Sequence, residues 1–213
     1  QDYINLVPRS CKLILGPKYS LLRNTFGRSQ NIGPGTGKSA PPRIFISMGA
    51  TDVFNQTEQV LNIISSILPQ ATADVLLSDG APHLSKIQNL CSQNRLFSLH
   101  IGITNPAQVM RNATFSIGTA GINLWERCAL GLPSIIFVAA ENQRQNADHV
   151  IKLGGGIFGG FVRQINTEIL TSAIIELANN KQMTAQMSLA AREICDGLGV
   201  QRVAKKIIST IYE

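Results

Sequence analysis

The sequence predicts an α/β fold, a Rossmann-like parallel sheet with helices on both faces. Three observations support this prediction. Short apolar runs alternate with amphipathic helical patterns after Pro42, hydrophobic residues make up 44% of the chain, and aromatic residues make up only 6%. Strands that alternate with helices build βαβ units, whose right-handed crossovers place the strands parallel in one sheet. With 213 residues, the chain is long enough for one sizeable domain.

Two segments of different composition divide the chain. We expect residues 1–42 to form an inter-domain segment and linker, and residues 43–213 to form the Rossmann-like domain. Gly, Pro, Ser and polar residues dominate positions 26–42, which have no periodic apolar face. The chain begins without Met and soon reaches an apolar run at 11–16. We therefore expect an N-terminal domain, absent from this sequence, to precede this segment in a longer protein.

The expected elements follow one another in a regular order. Short apolar runs predict strands at 44–48, 74–78, 96–100, 114–117 and 134–138. Amphipathic patterns predict helices at 56–68, 82–91, 106–112, 122–130, 167–179, 182–194 and 200–212. The glycine-rich segment 154–160 is predicted to form turns, because Gly adopts positive φ easily and weakens helices and strands. A ligand-binding loop is the alternative for that segment.

A near match to the Walker A phosphate loop lies at residues 32–39. That motif requires Gly at its first position, where this chain has Ile32, and it requires a strand before it and a helix after it. Polar residues precede the segment here, and Pro41 and Pro42 follow it closely, which blocks the helix that would hold the phosphate. The segment is therefore interpreted as a flexible linker, and an ATPase is not predicted.

Composition and charge argue against several other function classes. The net charge is +6, but the basic residues are scattered except for Lys205 and Lys206, so a nucleic-acid partner is not expected. Widely spaced cysteines suit neither a zinc site nor a disulfide framework, and no metal or cofactor is expected. No apolar run approaches the ~20 residues that span a bilayer, and the first residues are not a signal peptide. We expect a cytoplasmic protein with no membrane insertion.

Three loops are the candidate binding site, because ligands of open parallel sheets bind beyond the carboxyl ends of the strands. In the first loop, Gly49 and Ala50 would let backbone N–H groups approach a ligand, and Thr51 and Asp52 add polar groups. A tight turn with a helix N-cap is the alternative. In the third loop, Asn142 and Gln143 could reach a sugar or nucleotide, although Asn142 could also be only an N-cap.

The second loop carries the strongest signal. Gly118, Thr119, Ala120 and Gly121 join a strand to a helix, where free amides and the positive end of the helix dipole would bind a diphosphate. Glu126 lies within the first two turns of that helix, so its carboxylate could accept hydrogen bonds from both hydroxyls of a ribose. The alternative for Glu126 is an ordinary surface acid that favours a helix N-terminus.

The three histidines do not mark a catalytic site in the sequence. None of them has a neighbouring carboxylate or nucleophile, so surface or packing roles are expected for His83, His100 and His149. Trp125 and Cys128 are assigned to helix packing. No catalytic residue is assigned in this chain.

Several segments together resemble a known family. They are Gly-Pro-Lys-Tyr-Ser-Leu-Leu-Arg at 16–23, Met-Gly-Ala-Thr-Asp at 48–52, Ala-Pro-His at 81–83, Gly-Thr-Ala-Gly-Ile-Asn-Leu-Trp-Glu-Arg at 118–127, and Asn-Gln at 142–143. In this order and spacing they resemble the UDP-sugar hydrolase family of the pseudaminic-acid pathway, which is related in fold to the glycosyltransferase of peptidoglycan lipid II synthesis. The resemblance covers residues 3–160 and implies the C-terminal half of a GT-B-type two-domain architecture.

The resemblance also implies a reaction and its partners. UDP-2,4-diacetamido-2,4,6-trideoxy-β-L-altropyranose would be hydrolysed to UDP and the free sugar, in the bacterial pathway to pseudaminic acid that serves flagellin glycosylation. Glu126 would bind the uridine ribose, Asn142 and Gln143 would contact the ligand, and Arg23 would face the cleft between domains, together with residues 49–52.

Activity would depend on the N-terminal domain of the same protein, because the family's general-base histidine lies there and has no counterpart in this chain. A GT-B glycosyltransferase with a UDP-sugar donor is the first alternative. A non-catalytic nucleotide-sugar-binding module is the second.

Overall fold

A computed structural model of the protein describes residues 6–27 and 41–211. Its centre is a six-stranded parallel sheet in the order β3-β2-β1-β4-β5-β6. The strands are β1 Arg43–Ser47, β2 Thr72–Leu77, β3 Phe97–Ile101, β4 Phe115–Thr119, β5 Ser134–Val138 and β6 Gly156–Phe161. The helices are α1 Gln56–Ile67, α2 Leu84–Gln93, α3 Ala107–Arg111, α4 Ile122–Leu130, α5 Arg144–Lys152, α6 Thr167–Asn179, α7 Lys181–Ile194 and α8 Gly199–Ile211. Short 3₁₀ helices lie at Pro17–Tyr19, Asn24–Phe26 and Glu141–Gln143. The predicted fold class is confirmed.

Both faces of the sheet are buried, which explains the continuous apolar runs of its strands. On one face, strand residues such as Ile46 pack with Leu61 of α1 and Leu170 of α6. On the other face, Phe45 packs in a core that includes Leu124 of α4. Each fully buried side chain of this kind stabilises the fold by roughly 1.5–3 kcal/mol. Trp125 and Cys128 pack in the second core, as predicted.

The N-terminal segment is anchored to this second core. Leu22 and Phe26 are buried there, and the guanidinium of Arg111 donates a hydrogen bond to the carbonyl oxygen of Thr25. The Thr25 hydroxyl donates to Asn105 Oδ1 at 3.1 Å. Phe26, the first residue of the stretch rich in Gly, Pro and Ser, is therefore a core residue. The Walker-like segment 32–39 lies outside the described residues.

Turns were predicted for the glycine-rich segment 154–160. This prediction was wrong, because most of the segment forms the edge strand β6. A Cβ on Gly159 would lie 2.6 Å from the ring of Phe137 on β5, and a Cβ on Gly156 would lie 2.9 Å from the carbonyl oxygen of Ser134. Gly160, at a register shift between β5 and β6, has a φ of 114°. Close packing on β5, rather than turn formation, is thus the physical reason for these glycines.

The remaining predicted elements agree with the structure to within two residues at each end. Helices α4 and α6 and strand β5 have the predicted bounds, whereas β4 extends through Thr119 and shortens the second predicted loop. In the part of the chain that the structure describes, no helix is both long enough and apolar enough to cross a membrane.

Candidate nucleotide-sugar site

The strand order creates a crevice at one edge of the sheet. The chain runs from β1 outward to β2 and β3, and then crosses back to β4 on the other side of β1. The loops after β1 and β4 therefore leave in opposite directions at the carboxyl ends of adjacent strands, which is where open α/β sheets bind ligands. A cleft of about 750 Å³ lies at this point. Its volume is within the usual range of small-molecule sites.

The cleft brings together residues from all three predicted loops and the N-terminal segment. Seven of the predicted site residues line it, namely Arg23, Gly49, Ala50, Thr119, Gly121, Glu126 and Gln143. The other five do not line it, namely Thr51, Asp52, Gly118, Ala120 and Asn142.

Asp52 is turned toward its own helix instead of the cleft. Its carboxylate accepts hydrogen bonds from the backbone N–H groups of Gln56 at 2.9 Å and Thr57 at 2.8 Å, so it caps the start of α1. The backbone of Asp52 has a φ of 40°, in the left-handed region, and Gly49 in the same loop has a φ of 110°. The capping alternative therefore describes Asp52, and Thr51 beside it is exposed outside the cleft wall.

Three further predicted residues also lie away from the cleft wall. Gly118 is part of β4, where a Cβ would lie 2.7 Å from the guanidinium of Arg127. Ala120 is fully buried, and its N–H donates to the carbonyl oxygen of Phe137 at 2.9 Å. Asn142 is exposed, and no side-chain cap from a described residue precedes α5, so Asn142 is not the N-cap of that helix either.

The N-terminus of α4 faces the cleft without a side-chain cap. Gly121 precedes the helix in extended conformation, no described side chain accepts a hydrogen bond from the first amides, and the first turn has no acidic residue. Gly121, Ile122 and Asn123 all line the cleft. The positive end of the helix dipole is therefore available to an anion.

Glu126 is a buried carboxylate at the wall of the cleft, with only 5% of its surface exposed. Its Oε1 lies 3.7 Å from Nη1 of Arg23, and its Oε2 has no hydrogen-bond partner among the described residues. Burial raises the pKa of Glu126, although the positive charges of Arg23 and Arg127 oppose this shift. A buried acceptor without a partner is costly, so this oxygen is suited to accept hydrogen bonds from a ligand.

Gln143 closes the cleft from the side of β5. Its Oε1 accepts a hydrogen bond from the N–H of Ala139 at 3.1 Å, which fixes the side chain at the carboxyl end of the strand. Its Nε2 lies 3.6 Å from the position that a Cβ would take on Gly121. The amide is thus held next to the start of α4.

Sequence reasoning missed several lining residues. Ser47 ends β1 and accepts a hydrogen bond from the side chain of Asn123 at 3.3 Å, and Ser78 follows β2 with a buried hydroxyl that has no described partner. Residues 102–104 follow β3 and line the opposite end of the cleft. Applying the strand-end rule to every strand would have found them, because each follows or ends a parallel strand.

His100 has a carboxylate neighbour after all, which corrects the sequence analysis. Its Nε2 lies 2.8 Å from Oδ1 of Asp74, and Arg43 also donates to Asp74 at 2.5 and 2.9 Å. The three side chains come from β1, β2 and β3, so only the sheet brings them together. None of them lines the cleft. Among the side chains at described positions, no group of three or more potential metal ligands occurs.

Comparisons with known proteins agree with this architecture. The chain is 27% identical over 154 residues to the UDP-2,4-diacetamido-2,4,6-trideoxy-beta-L-altropyranose hydrolase of Campylobacter jejuni, which covers 72% of the chain and 53% of that protein. It is 20% identical over 209 residues to the spore coat polysaccharide biosynthesis protein SpsG of Bacillus subtilis, which covers 97% of the chain and 61% of that protein.

The crystal structure of MurG from Acinetobacter baumannii has the same fold, with a TM-score of 0.62 at 18% identity over 96% of this chain and 58% of that one. The protein spans between 41% and 61% of the length of the curated relatives that it matches. The described architecture is thus GT-B-like, as expected. Residues 44–207, from β1 into α8, match the glycosyltransferase family 28 C-terminal domain, and the chain belongs to that family.

Proposed function

We propose that the cleft binds the UDP part of a nucleotide sugar, and that the whole protein, with its N-terminal domain, hydrolyses UDP-2,4-diacetamido-2,4,6-trideoxy-β-L-altropyranose to UDP and the free sugar. One observation carries this proposal. The uncapped N-terminus of α4 and the buried, incompletely hydrogen-bonded carboxylate of Glu126 border the same cleft at the crossover point of the sheet.

The diphosphate is proposed to lie at the start of α4. The amides of the first helical turn and the turn at Gly121 supply donors, and the helix dipole favours negative charge. Gly49 and Ala50 border the cleft from the β1 loop, where small residues permit close approach of the backbone. Arg23, which is 59% exposed and close to Glu126, adds a positive charge at the rim.

The ribose is proposed to lie one turn farther along α4. Glu126 has one oxygen without any partner and one at 3.7 Å from a guanidinium nitrogen, so each oxygen can accept a hydrogen bond from one hydroxyl of a vicinal pair. A carboxylate is the natural group for this task because it accepts hydrogen bonds and does not donate them when ionised. Charge-assisted hydrogen bonds of this type are stronger than neutral ones.

The base is proposed to occupy the far end of the cleft. Leu76, Leu77 and Ile103, at the carboxyl ends of β2 and β3, line the cleft and offer apolar contacts to a flat ring. Thr104 also lines it, and the backbone groups of Ile103 and Thr104 can provide hydrogen bonds to the edge of the base. The choice of uracil rests on the similarity to the Campylobacter protein, which is a UDP-sugar hydrolase.

In the proposed reaction, water attacks the anomeric carbon and the bond from that carbon to the β-phosphate oxygen breaks. The electron pair of that bond leaves with UDP, whose growing negative charge is stabilised by the α4 amides and by Arg23. The base that takes the proton from water is proposed to come from the N-terminal domain, since Glu126 is engaged by the ribose.

A glycosyltransferase is the second candidate, because the family match is to a glycosyltransferase domain. The two functions differ only in the nucleophile, so the test must vary the acceptor. The full-length protein is incubated with the UDP-altropyranose derivative, and UDP release is followed with and without candidate acceptors. Release without any acceptor is expected, and release that requires an acceptor would contradict the hydrolase proposal.

The binding proposal can be tested on this chain alone. Isothermal titration calorimetry is expected to show that UDP binds more tightly than ATP, because the lining residues form a site for one ribose, one diphosphate and a small base. Tighter binding of ATP would contradict the proposal.

A further inference from the structure

Arg127 is the largest fully buried side chain of the described residues, with 1% of its surface exposed. Its Nη2 donates a hydrogen bond to the carbonyl oxygen of Thr119 at 2.6 Å, and its Nε donates to the carbonyl oxygen of Asn123 at 3.2 Å. Among the described residues, its Nη1 has no hydrogen-bond partner and no carboxylate lies within ion-pair distance of it.

The guanidinium keeps its charge in this environment. Burial lowers the pKa of Arg127 to about 10, which leaves the group protonated at neutral pH. A buried charge without a paired counter-charge costs free energy, and removing or compensating it would stabilise the folded state. Two carbonyl oxygens and the nearby carboxylate of Glu126, whose charge favours the protonated guanidinium, compensate it in part. Its Nη1 still has no hydrogen-bond partner among the described residues.

The guanidinium of Arg127 lies directly behind residues that line the cleft. Thr119 and Asn123, whose carbonyl oxygens it holds, both line the cleft. Gly118 lacks the side chain that would fill the space of Nη1, since a Cβ there would lie 2.7 Å from that nitrogen. The chain thus leaves room for a cation directly behind the cleft wall.

This arrangement has two electrostatic effects on an anion at the start of α4. The carbonyl oxygen of Thr119, at the end of β4, would repel a phosphate if it faced it, and its hydrogen bond to Arg127 holds it on the guanidinium instead. The bond to the carbonyl oxygen of Asn123 fixes the guanidinium to the first turn of α4. The positive charge itself lies in a region of low polarity, where its field is screened less than that of an exposed side chain.

We propose that Arg127 is a positioning residue for the diphosphate: it orients the β4–α4 turn from behind and supplies the buried counter-charge of the ligand without touching it. The inference rests on the proposed UDP site. It extends that proposal by assigning the phosphate selectivity of the site to a residue that lies outside the cleft wall.

The test compares two ligands that differ only in the phosphates. Binding of UDP and of uridine to this chain is measured by calorimetry for the wild type and for Arg127→Met and Arg127→Lys. The Met substitution is expected to weaken UDP binding about tenfold, corresponding to about 1.4 kcal/mol, and to leave uridine binding within about twofold. The Lys substitution keeps the charge and is expected to restore most of the UDP affinity. If Arg127→Met does not fold, Arg127→Gln, which is neutral but can still donate to carbonyl oxygens, replaces it.

The possible outcomes separate this inference from the proposed function. Equal losses for UDP and uridine would assign Arg127 a merely structural role and overturn the inference. UDP binding that is unchanged in Arg127→Met would overturn it as well. A wild-type chain that binds neither ligand would overturn the proposed function, and this inference with it.

Discussion

Two acidic residues of this protein occupy equivalent places in the fold and have opposite surroundings. Asp52 and Glu126 each follow a central parallel strand, each lies near the N-terminus of the next helix, and each has 5% of its surface exposed. Both oxygens of Asp52 accept hydrogen bonds from the backbone of α1. Glu126 has one oxygen at 3.7 Å from Arg23 and one without a partner among the described residues.

The difference separates a residue that serves the fold from one that is proposed to serve a ligand. The carboxylate of Asp52 has two hydrogen-bond partners in the backbone of α1, so its removal should lower the stability of the folded state. Glu126 gains little from its surroundings, so its removal should cost the folded state little and the ligand complex much. The two residues are equally buried, but Asp52 lies in the loop before α1 and Glu126 lies inside α4, and their hydrogen-bond partners differ accordingly.

The largest expected effect tests the Glu126 side of the comparison. Replacement of Glu126 by Ala removes the two proposed charge-assisted hydrogen bonds to the ribose, each worth about 1.5–3 kcal/mol, so UDP affinity is expected to fall roughly 100-fold or more. The melting temperature of the ligand-free chain should change little. Calorimetry and thermal unfolding of the same preparation measure both quantities. Unchanged UDP affinity would remove Glu126 from the proposed site.

The matched substitution, Asp52→Ala, tests whether Asp52 stabilises the fold and does not bind the ligand. Asp52→Ala leaves the N–H groups of Gln56 and Thr57 without acceptors, and the free energy of unfolding is expected to fall by about 2 kcal/mol. UDP affinity of the folded chain should fall far less than in Glu126→Ala. Denaturant unfolding gives the first quantity and calorimetry the second. A stable Asp52→Ala chain with lost UDP binding would reverse the assignment of the two residues.

The pH dependence of stability sharpens the comparison further. Burial raises the pKa of Glu126 above its ordinary value of 4.5. The protonated carboxyl is therefore the form that the folded state favours, and this contribution is complete below pH 4.5 and lost as the pH rises through the raised pKa. Glu126→Gln imitates the protonated form.

The Gln substitution is accordingly expected to match the wild type in stability below pH 4.5 and to become the more stable of the two as the pH increases. Unfolding curves at a series of pH values measure the difference. A difference that does not vary with pH would mean that the Glu126 carboxyl is not buried at a cost.

The smallest expected effect concerns Arg23. Its side chain is 59% exposed, so its attraction to Glu126 or to a phosphate is screened by water. Arg23→Gln is expected to reduce UDP affinity by no more than about fivefold, corresponding to about 1 kcal/mol or less. The reduction should shrink at high salt, because exposed charges are screened by ions. A loss as large as that of Glu126→Ala would show that Arg23 holds the ligand directly in a shielded position.

Local patterns in the sequence predicted most of the fold. Helices α4 and α6 have the predicted bounds because their apolar residues recur with helical spacing. Strand β6 was missed because its glycines make room for Ile136 and the ring of Phe137 on the neighbouring strand β5. Local sequence propensity contains no information about such contacts between strands. The pairing of His100 with Asp74 likewise depends on adjacent strands.

The candidate site was predictable in its location and less so in its members. Strand ends and helix starts point to Glu126 and Gly121, because the rule for parallel sheets needs only the order of elements. The orientation of Asp52 depends on a left-handed backbone conformation within its loop, and the sequence alone does not specify it. Ser78 was missed because a single serine after a strand has no distinguishing pattern.

The anchoring of Phe26 has a consequence for the order of folding. The hydrogen bonds that tie Thr25 to Asn105 and Arg111 join residues that are 80 and 86 positions apart in the chain. Closing loops of this length costs more entropy than forming the local β1–α1–β2 unit, as does the pairing of β1 with β4, and contacts of large sequence separation slow folding. Because this segment packs on residues of α3 and α4, we expect it to dock after those helices have formed, so that the wall of the cleft that holds Arg23 is completed late.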